Sequence, residues 1–170
     1  FAGTAVVIFQ PAEEGGDGGR EMVNDGMMDR FGVSEVYGMH NMPGLEPGAF
    51  ALRPGPLMAA ADRFTITIEG KGAHAAQPHN SIDTVVIGSQ IVTALQSIVS
   101  RGVDPLASAV VSVTVFKAGE AFNVLPQTAE LKGTVRTFQP EIQDMIERRM
   151  GEIASGIAAA HGATATLDYE

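Results

Sequence analysis

The hydrophobic residues in the second half of the chain repeat with two different periods, and this pattern constrains the fold more than any other feature. Alternation of apolar and polar residues, or a short Val-rich run, predicts strands at 64–69, 107–116, 129–138 and 163–170. Apolar residues at helical spacing predict helices at 81–100 and 140–161. The order β-α-β-β-α-β predicts a ferredoxin-like fold, an antiparallel sheet with two helices on one face.

The first of these helices has an unusual distribution of apolar residues. Ser81 is the predicted N-cap, with Asp83 in the first turn. Apolar side chains cover nearly the whole helical circumference, whereas a helix that covers one sheet face needs only a stripe. They are Ile82, Val86, Ile87, Ile91, Val92, Leu95, Ile98 and Val99. The pattern indicates either a subunit interface or a helix that is simply rich in apolar residues.

The first half has the pattern of a mixed α/β domain. The Val- and Ile-rich run Thr4–Gln10 predicts a strand buried on both faces, and further strands are predicted at 33–39 and 49–53. A short helix is predicted over 20–30, although it contains Gly26. A Pro- and Gly-rich stretch near residue 55 indicates a domain boundary, which gives domains at 1–55 and 56–170.

Composition excludes several functional classes. The 170 residues carry a net charge of -9, so phosphates of nucleic acids or anionic membranes would repel the chain. The absence of cysteine excludes a disulfide scaffold and fits a reducing compartment, so we expect a cytoplasmic protein. No apolar run is long enough to cross a bilayer. Because the chain begins at Phe1 and ends within a predicted strand, we interpret it as a piece of a longer protein.

Glu13, Glu14 and His40 follow two predicted strands directly. In open α/β sheets, ligands bind beyond the carboxyl ends of the strands. Adjacent residues in an extended chain point in opposite directions, so one glutamate could bind a metal while the other reaches a water. His40 could supply an imidazole ligand at the same edge. Alternatively, the glutamates are solvated in a surface loop, and the histidine caps a strand or bonds a loop.

Three further polar residues lie in the second half. His74, in a turn rich in Gly and Ala, could donate to a developing oxyanion, or could be an exposed loop histidine. Asn123 lies in a predicted connection between strands, where a plain turn is the alternative. Arg136, inside a predicted strand, could bind a substrate carboxylate, face solvent or pair with an acidic side chain.

Several motifs in the same order resemble the M20 metallopeptidases, in the aminoacylase-like branch with the hippurate hydrolases and auxin-conjugate hydrolases. In the first half they are Gln10-Pro11-Ala12-Glu13-Glu14, Gly26-Met27 and Gly38-Met39-His40-Asn41. In the second half they include the segment from Gly70 to His79, Asn123-Val124-Leu125-Pro126 and Gly133-Thr134-Val135-Arg136-Thr137. The resemblance covers nearly the whole chain, and it implies part of a catalytic domain followed by a lid domain that dimerises.

The resemblance also implies a role for each matched residue. Glu13 would be the general base, and Glu14 and His40 would be metal ligands. His74 would reach from the lid into the active site of the other subunit and polarise the scissile carbonyl. Asn123 and Arg136 would hold the substrate. The role of His79, which also matches the branch, is left open.

The implied activity is hydrolysis of N-acyl amino acids with two divalent metal ions, for which Zn, Mn, Co or Ni would suit carboxylate and imidazole ligands. The remaining family ligands, an upstream His-x-Cys stretch and a histidine near the C-terminus, lie outside this chain. We therefore expect the chain alone to be inactive, and a non-catalytic module for dimerisation or small-ligand binding is the alternative. Thr84 stands where the branch usually has proline, a change expected to be harmless.

Overall fold

The protein divides into two compact units, Phe1–Ala51 and Leu52–Glu170. The computed structural model describes residues 2–13, 15 and 18–170. Within this described part, none of the helices combines the length and the apolar character that a bilayer-spanning segment requires.

The first unit contains two short helices, α1 (Gly18–Asn24) and α2 (Met27–Phe31). We predicted one helix here, but Gly26 has a φ of 79°, a left-handed conformation that interrupts the helix. The strands predicted over 4–10, 33–39 and 49–53 are absent from the described residues of the unit. A strand forms only when its backbone groups pair with a neighbour. Among the residues that the structure describes, these apolar segments have no such neighbour, and side chains such as Phe9 are exposed.

The second unit has the predicted ferredoxin-like order, with one addition. Its strands are β1 (Ala60–Glu69), β2 (Ala73–His74), β3 (Ala109–Ala118), β4 (Val124–Leu125), β5 (Thr128–Thr137) and β6 (Thr164–Tyr169). The long strands form an antiparallel sheet in the order β3-β5-β1-β6. The short strands β2 and β4, which the sequence did not predict, pair with each other as a separate two-stranded ribbon.

Two helices complete this unit and share one core with the sheet. They are α3 (Thr84–Ser97), extended by a turn of π-helix over Ile98–Gly102, and α4 (Pro140–Ala160). As predicted, Pro140 opens α4, and Gly162 follows its end with a φ of 76°. The core is built from inward-facing residues of the sheet and from one stripe of each helix. It includes Phe64, Ile66, Ile68, Leu131, Val135, Ile87, Ile91, Leu95, Ile146 and Met150.

The start of α3 differs from the prediction. The cap is Asp83, whose carboxylate accepts hydrogen bonds from the backbone N–H of Val85 and Val86. Ser81 instead donates to the carbonyl of Pro78, closing a short 3-10 turn (Pro78–Asn80). Serine and aspartate both cap helices well. The hydroxyl of Ser81 is already bonded within the 3-10 turn, before the helix begins.

The apolar circumference of α3 is mostly explained by its own core. Ile87, Ile91 and Leu95 are fully buried, while Val85 and Val86 remain exposed at 39% and 47%. The polar residues of the helix occupy much of its outer face. An apolar surface therefore remains on α3, but it is smaller than the sequence pattern predicted.

Candidate active-site elements

The β2–β4 ribbon brings His74 and Asn123 together. His74 pairs with Val124, and the N–H of Ala75 donates to the carbonyl of Asn123 at 2.9 Å. Both side chains are exposed. Two residues that lie far apart in the sequence therefore share one end of this unit, where a substrate can reach them.

The His74 ring is held in one tautomer. Its Nδ1 lies 3.0 Å from the backbone nitrogen of Ala76, which donates to it. An accepting Nδ1 carries no proton, so the proton of the neutral ring lies on Nε2. The exposed Nε2–H is then available as a hydrogen-bond donor.

Arg136 lies at the opposite end of the sheet. It follows Thr128, the residue of β5 nearest the ribbon, by eight positions, and eight residues of strand span about 27 Å. Its guanidinium donates to Thr134 Oγ1 and to the carbonyl of Val135. Within one subunit, therefore, Arg136 and His74 cannot contact the same small substrate.

A groove of about 460 Å³ surrounds Arg136. Its walls come from the segment after α3, the start of β3 and Phe138. Arg53 stacks on the ring of Phe138, with the guanidinium carbon 5.3 Å from the ring centroid. The groove combines an apolar wall with the guanidinium of Arg136 and the carboxylate of Asp104.

Glu13 lies in the first unit, in a turn that starts at Pro11. The turn is closed by a 3.3 Å hydrogen bond from the N–H of Gly15 to the carbonyl of Ala12. The backbone of Ala12 has a left-handed φ of 48°. Gly18, at the start of α1, approaches Pro11 so closely that a Cβ would lie 1.7 Å from its carbonyl oxygen. This close approach fixes the turn, and the Glu13 side chain is exposed on it.

The His40 ring is hydrogen-bonded to the backbone of the next residue. Its Nδ1 lies 2.7 Å from the carbonyl oxygen of Asn41. A carbonyl only accepts, so Nδ1 carries a proton; in the neutral ring, Nε2 then has a free lone pair. Metal-binding histidines usually donate their second nitrogen in this way.

The predicted ligand Glu14 lies outside the described residues. Within residues 2–13, 15 and 18–170, no three His, Asp or Glu side chains converge in a group that could hold a metal ion. The donor types thus fit a divalent metal, but the part of the chain that the structure describes does not assemble a complete set of ligands.

Thr84, for which no role was predicted, bears on the ribbon. Thr84 is fully buried, and its hydroxyl donates to the carbonyl of Pro126 at 3.0 Å. A local sequence pattern does not predict a hydrogen bond between residues that are 42 positions apart. The only signal was that Thr84 departs from the proline usual at this position in the family it resembles.

Comparison with known proteins gives a consistent family match. The sequence model of the family described as Peptidase family M20/M25/M40 matches residues 1–164. An N-acyl-L-amino acid amidohydrolase of Geobacillus stearothermophilus is 52% identical over 96% of this chain. The hippurate hydrolase of Campylobacter jejuni is 42% identical over 95% of it. The chain spans 44% and 42% of these two relatives, which is less than half of their length.

A solved structure supports the same match. The YXEP protein of Bacillus subtilis, described as a dinuclear metal binding peptidase from the M20 family, superposes with a TM-score of 0.73. It is 41% identical, and the match covers 95% of this chain and 39% of that one.

Proposed function

Since the chain belongs to peptidase family M20/M25/M40, we propose that the protein it forms part of is a metal-dependent amidohydrolase that cleaves N-acyl amino acids. The observation that carries this proposal is the ribbon, which presents His74 as an Nε2–H donor beside Asn123. The substrate class is supported by the relatives, which are named for N-acyl amino acids and hippurate.

The proposed metal ligands in this chain are Glu14 and His40. A pair of divalent ions would supply a Lewis acid for the amide carbonyl and lower the pKa of the attacking water. The proton-donating state of His40 Nδ1 supports this assignment because it leaves Nε2 free to bind. Zn, Mn, Co and Ni all suit these ligands.

Glu13 is the proposed general base. Its carboxylate would accept a proton from the water as the oxygen–carbon bond forms, and would return that proton to the leaving nitrogen as the carbon–nitrogen bond breaks. The products would be a carboxylic acid and a free amino acid. His74 would donate from Nε2 to the carbonyl oxygen while negative charge builds there.

His74 and Arg136 would serve one substrate from two subunits. About 27 Å of β5 separates Arg136 from the ribbon within a subunit, so a site that uses both needs a second copy of the chain. We therefore propose a homodimer in which His74 and Asn123 reach the partner's site. Arg136 would bind the substrate carboxylate through its planar fork.

A substitution series tests this function in the full-length enzyme that contains the chain. Glu13→Gln should keep its metal and lose activity on N-benzoyl and N-acetyl amino acids by about 100- to 10,000-fold. Glu14→Ala should lose metal, measured by elemental analysis. Glu21→Gln, an exposed glutamate on α1, is the matched control and should retain the wild-type rate. A near-wild-type rate in Glu13→Gln would disprove its role as general base.

A further inference from the structure

Thr84 lies at the base of the β2–β4 ribbon. It is the first residue of α3 and is fully buried, with 0% relative exposure. Its hydroxyl donates to the carbonyl of Pro126, the residue that follows β4 directly. One strand of the ribbon is thereby tied to the start of a core helix.

The other strand of the ribbon is held at the same place. Gly70, which leads towards β2, lies so close to Thr84 that a Cβ on it would be 2.9 Å from the threonine methyl group. The N–H of Gly70 donates to the carbonyl of Gln127, and Lys71 forms a two-way backbone bridge with Ile82. Thr84 therefore contacts the chain on both sides of the ribbon, with its hydroxyl on one and its methyl group on the other.

The ribbon itself is short. β2 and β4 have two residues each, and a pair this short is unstable alone. The side chains of His74 and Asn123 are exposed. The position of His74 relative to the sheet thus depends on how firmly the base of the ribbon is fixed.

We infer that Thr84 is a positioning residue whose hydroxyl, through its hydrogen bond to Pro126, fixes the ribbon that carries His74 and Asn123. The catalytic part of this inference rests on the proposed function; the mechanical part does not.

Amide hydrogen exchange of the 170-residue chain tests the mechanical part. Thr84→Val keeps the shape of the side chain and removes the donor, so the Pro126 carbonyl loses its partner. Exchange of the Ala75 amide, which is bonded to Asn123 across the ribbon, should become about tenfold faster, as expected for the loss of one buried hydrogen bond. Thr84→Ser keeps the hydroxyl and should restore most of the protection.

Thr93→Val is the matched control. Thr93 lies on the same helix, but it is exposed and its hydroxyl bonds the local carbonyl of Ser89. This variant should leave the exchange rate of the Ala75 amide unchanged. The amides of the sheet core should exchange at the wild-type rate in every variant. If Ala75 exchanged at the same rate in Thr84→Val as in the wild type, the inference would be overturned.

Turnover of the full-length enzyme tests the catalytic part. Thr84→Val should lower kcat about tenfold with little change in KM, because His74 acts mainly on the transition state. Thr84→Ser should recover kcat. Faster Ala75 exchange with an unchanged kcat would refute the catalytic part. An inactive wild-type enzyme would refute the proposed function instead, and the exchange result would still decide the mechanical part.

Discussion

Gly133 lies where two strands and an aromatic ring meet. A Cβ at this position of β5 would be 2.0 Å from the carbonyl oxygen of Ser112 and 2.4 Å from the ring of Phe64. Ser112 precedes the irregular pairing of β3 between Val113 and Val115. The close approach of backbone and ring therefore depends on the missing side chain.

We expect Gly133→Ala to lower the free energy of unfolding by about 1–3 kcal/mol, because the added methyl group forces the strands or the ring to move. Gly156→Ala is the control. Gly156 is an exposed residue within α4, and nothing lies within 4 Å of a Cβ added there. Alanine there should stabilise the protein slightly, by up to about 1 kcal/mol. Urea unfolding measures both, and equal effects would show that crowding at Gly133 is not the cause.

The residue-level predictions succeeded where a single rule acts locally. Pro140 opens α4 and Gly162 follows its end, as predicted. The fixed φ of proline and the left-handed φ of glycine each act on the segment in which the residue lies. The cap of α3 was wrong because Ser81 and Asp83 are both good caps, and only the 3-10 turn before the helix decides between them. The hydrogen bond of Thr84 could not be predicted, because its partner Pro126 lies 42 positions away and only the fold brings the two residues together.

At the scale of elements, Asp62 connects three of them. Its buried carboxylate on β1 accepts hydrogen bonds from the Gln143 amide of α4 and from the Tyr169 hydroxyl of β6, each at 2.8 Å. Burial, together with the hydrogen bond to Asp62, raises the pKa of Tyr169 above its ordinary value. The cluster thus joins the last strand to the sheet and to the helix above it.

This raised pKa predicts a pH dependence of stability. The folded protein holds the Tyr169 proton more tightly than the unfolded chain does, so the contribution is complete below the unfolded pKa of about 10 and is lost as the pH rises through the higher folded pKa. In urea unfolding between pH 8 and pH 11, the wild type should lose more stability than Tyr169→Phe. Parallel pH profiles for the two proteins would contradict this assignment.

The elements of the second unit were predictable because each has its partners within the unit. Alternation along β1 and β5 matches the inward and outward positions of the sheet, and the order of the elements fixed the ferredoxin-like topology. The strands predicted over 4–10 and 33–39 failed for the opposite reason, since the described residues of the first unit offer them no pairing neighbour. The ribbon was missed because strands of two residues have no recognisable period.

At the scale of the whole molecule, the first prediction is that this chain alone does not hydrolyse N-acyl amino acids. The described residues contain no group of three potential ligands, and Glu14 with His40 would give too few donors for two metal ions. The assay uses hippurate and N-acetyl amino acids with excess Mn or Zn. Clear metal-dependent turnover, removed by a chelator, would show that the chain holds a complete site.

The second unit also has the surface that a homodimer would need. β3 is an edge strand of the described sheet, and its Phe116, which lies on the same sheet face as α3, is exposed at 42%. The ring of Phe116 reaches α3 beside Gly88, where a Cβ would lie 2.7 Å from it. Val85 and Val86 are exposed on the same helix. An unpaired edge beside exposed aliphatic side chains is uncommon on a monomer, and a two-fold axis would cover it on both copies.

We therefore expect the 170-residue chain to be dimeric in light scattering, with α3 at the contact. Val86→Asp should split the dimer because it would bury an unpaired carboxylate there. Ser155→Asp, which places the same charge on an exposed position of α4, should leave the dimer intact.

In the full-length enzyme, splitting the dimer should abolish activity because His74 would no longer reach a partner. Mixing His74→Ala subunits with Glu13→Gln subunits should restore part of the activity, since one of the two composite sites would then carry both wild-type residues. A stable monomer, or full activity in a monomeric enzyme, would rule out a site shared between subunits.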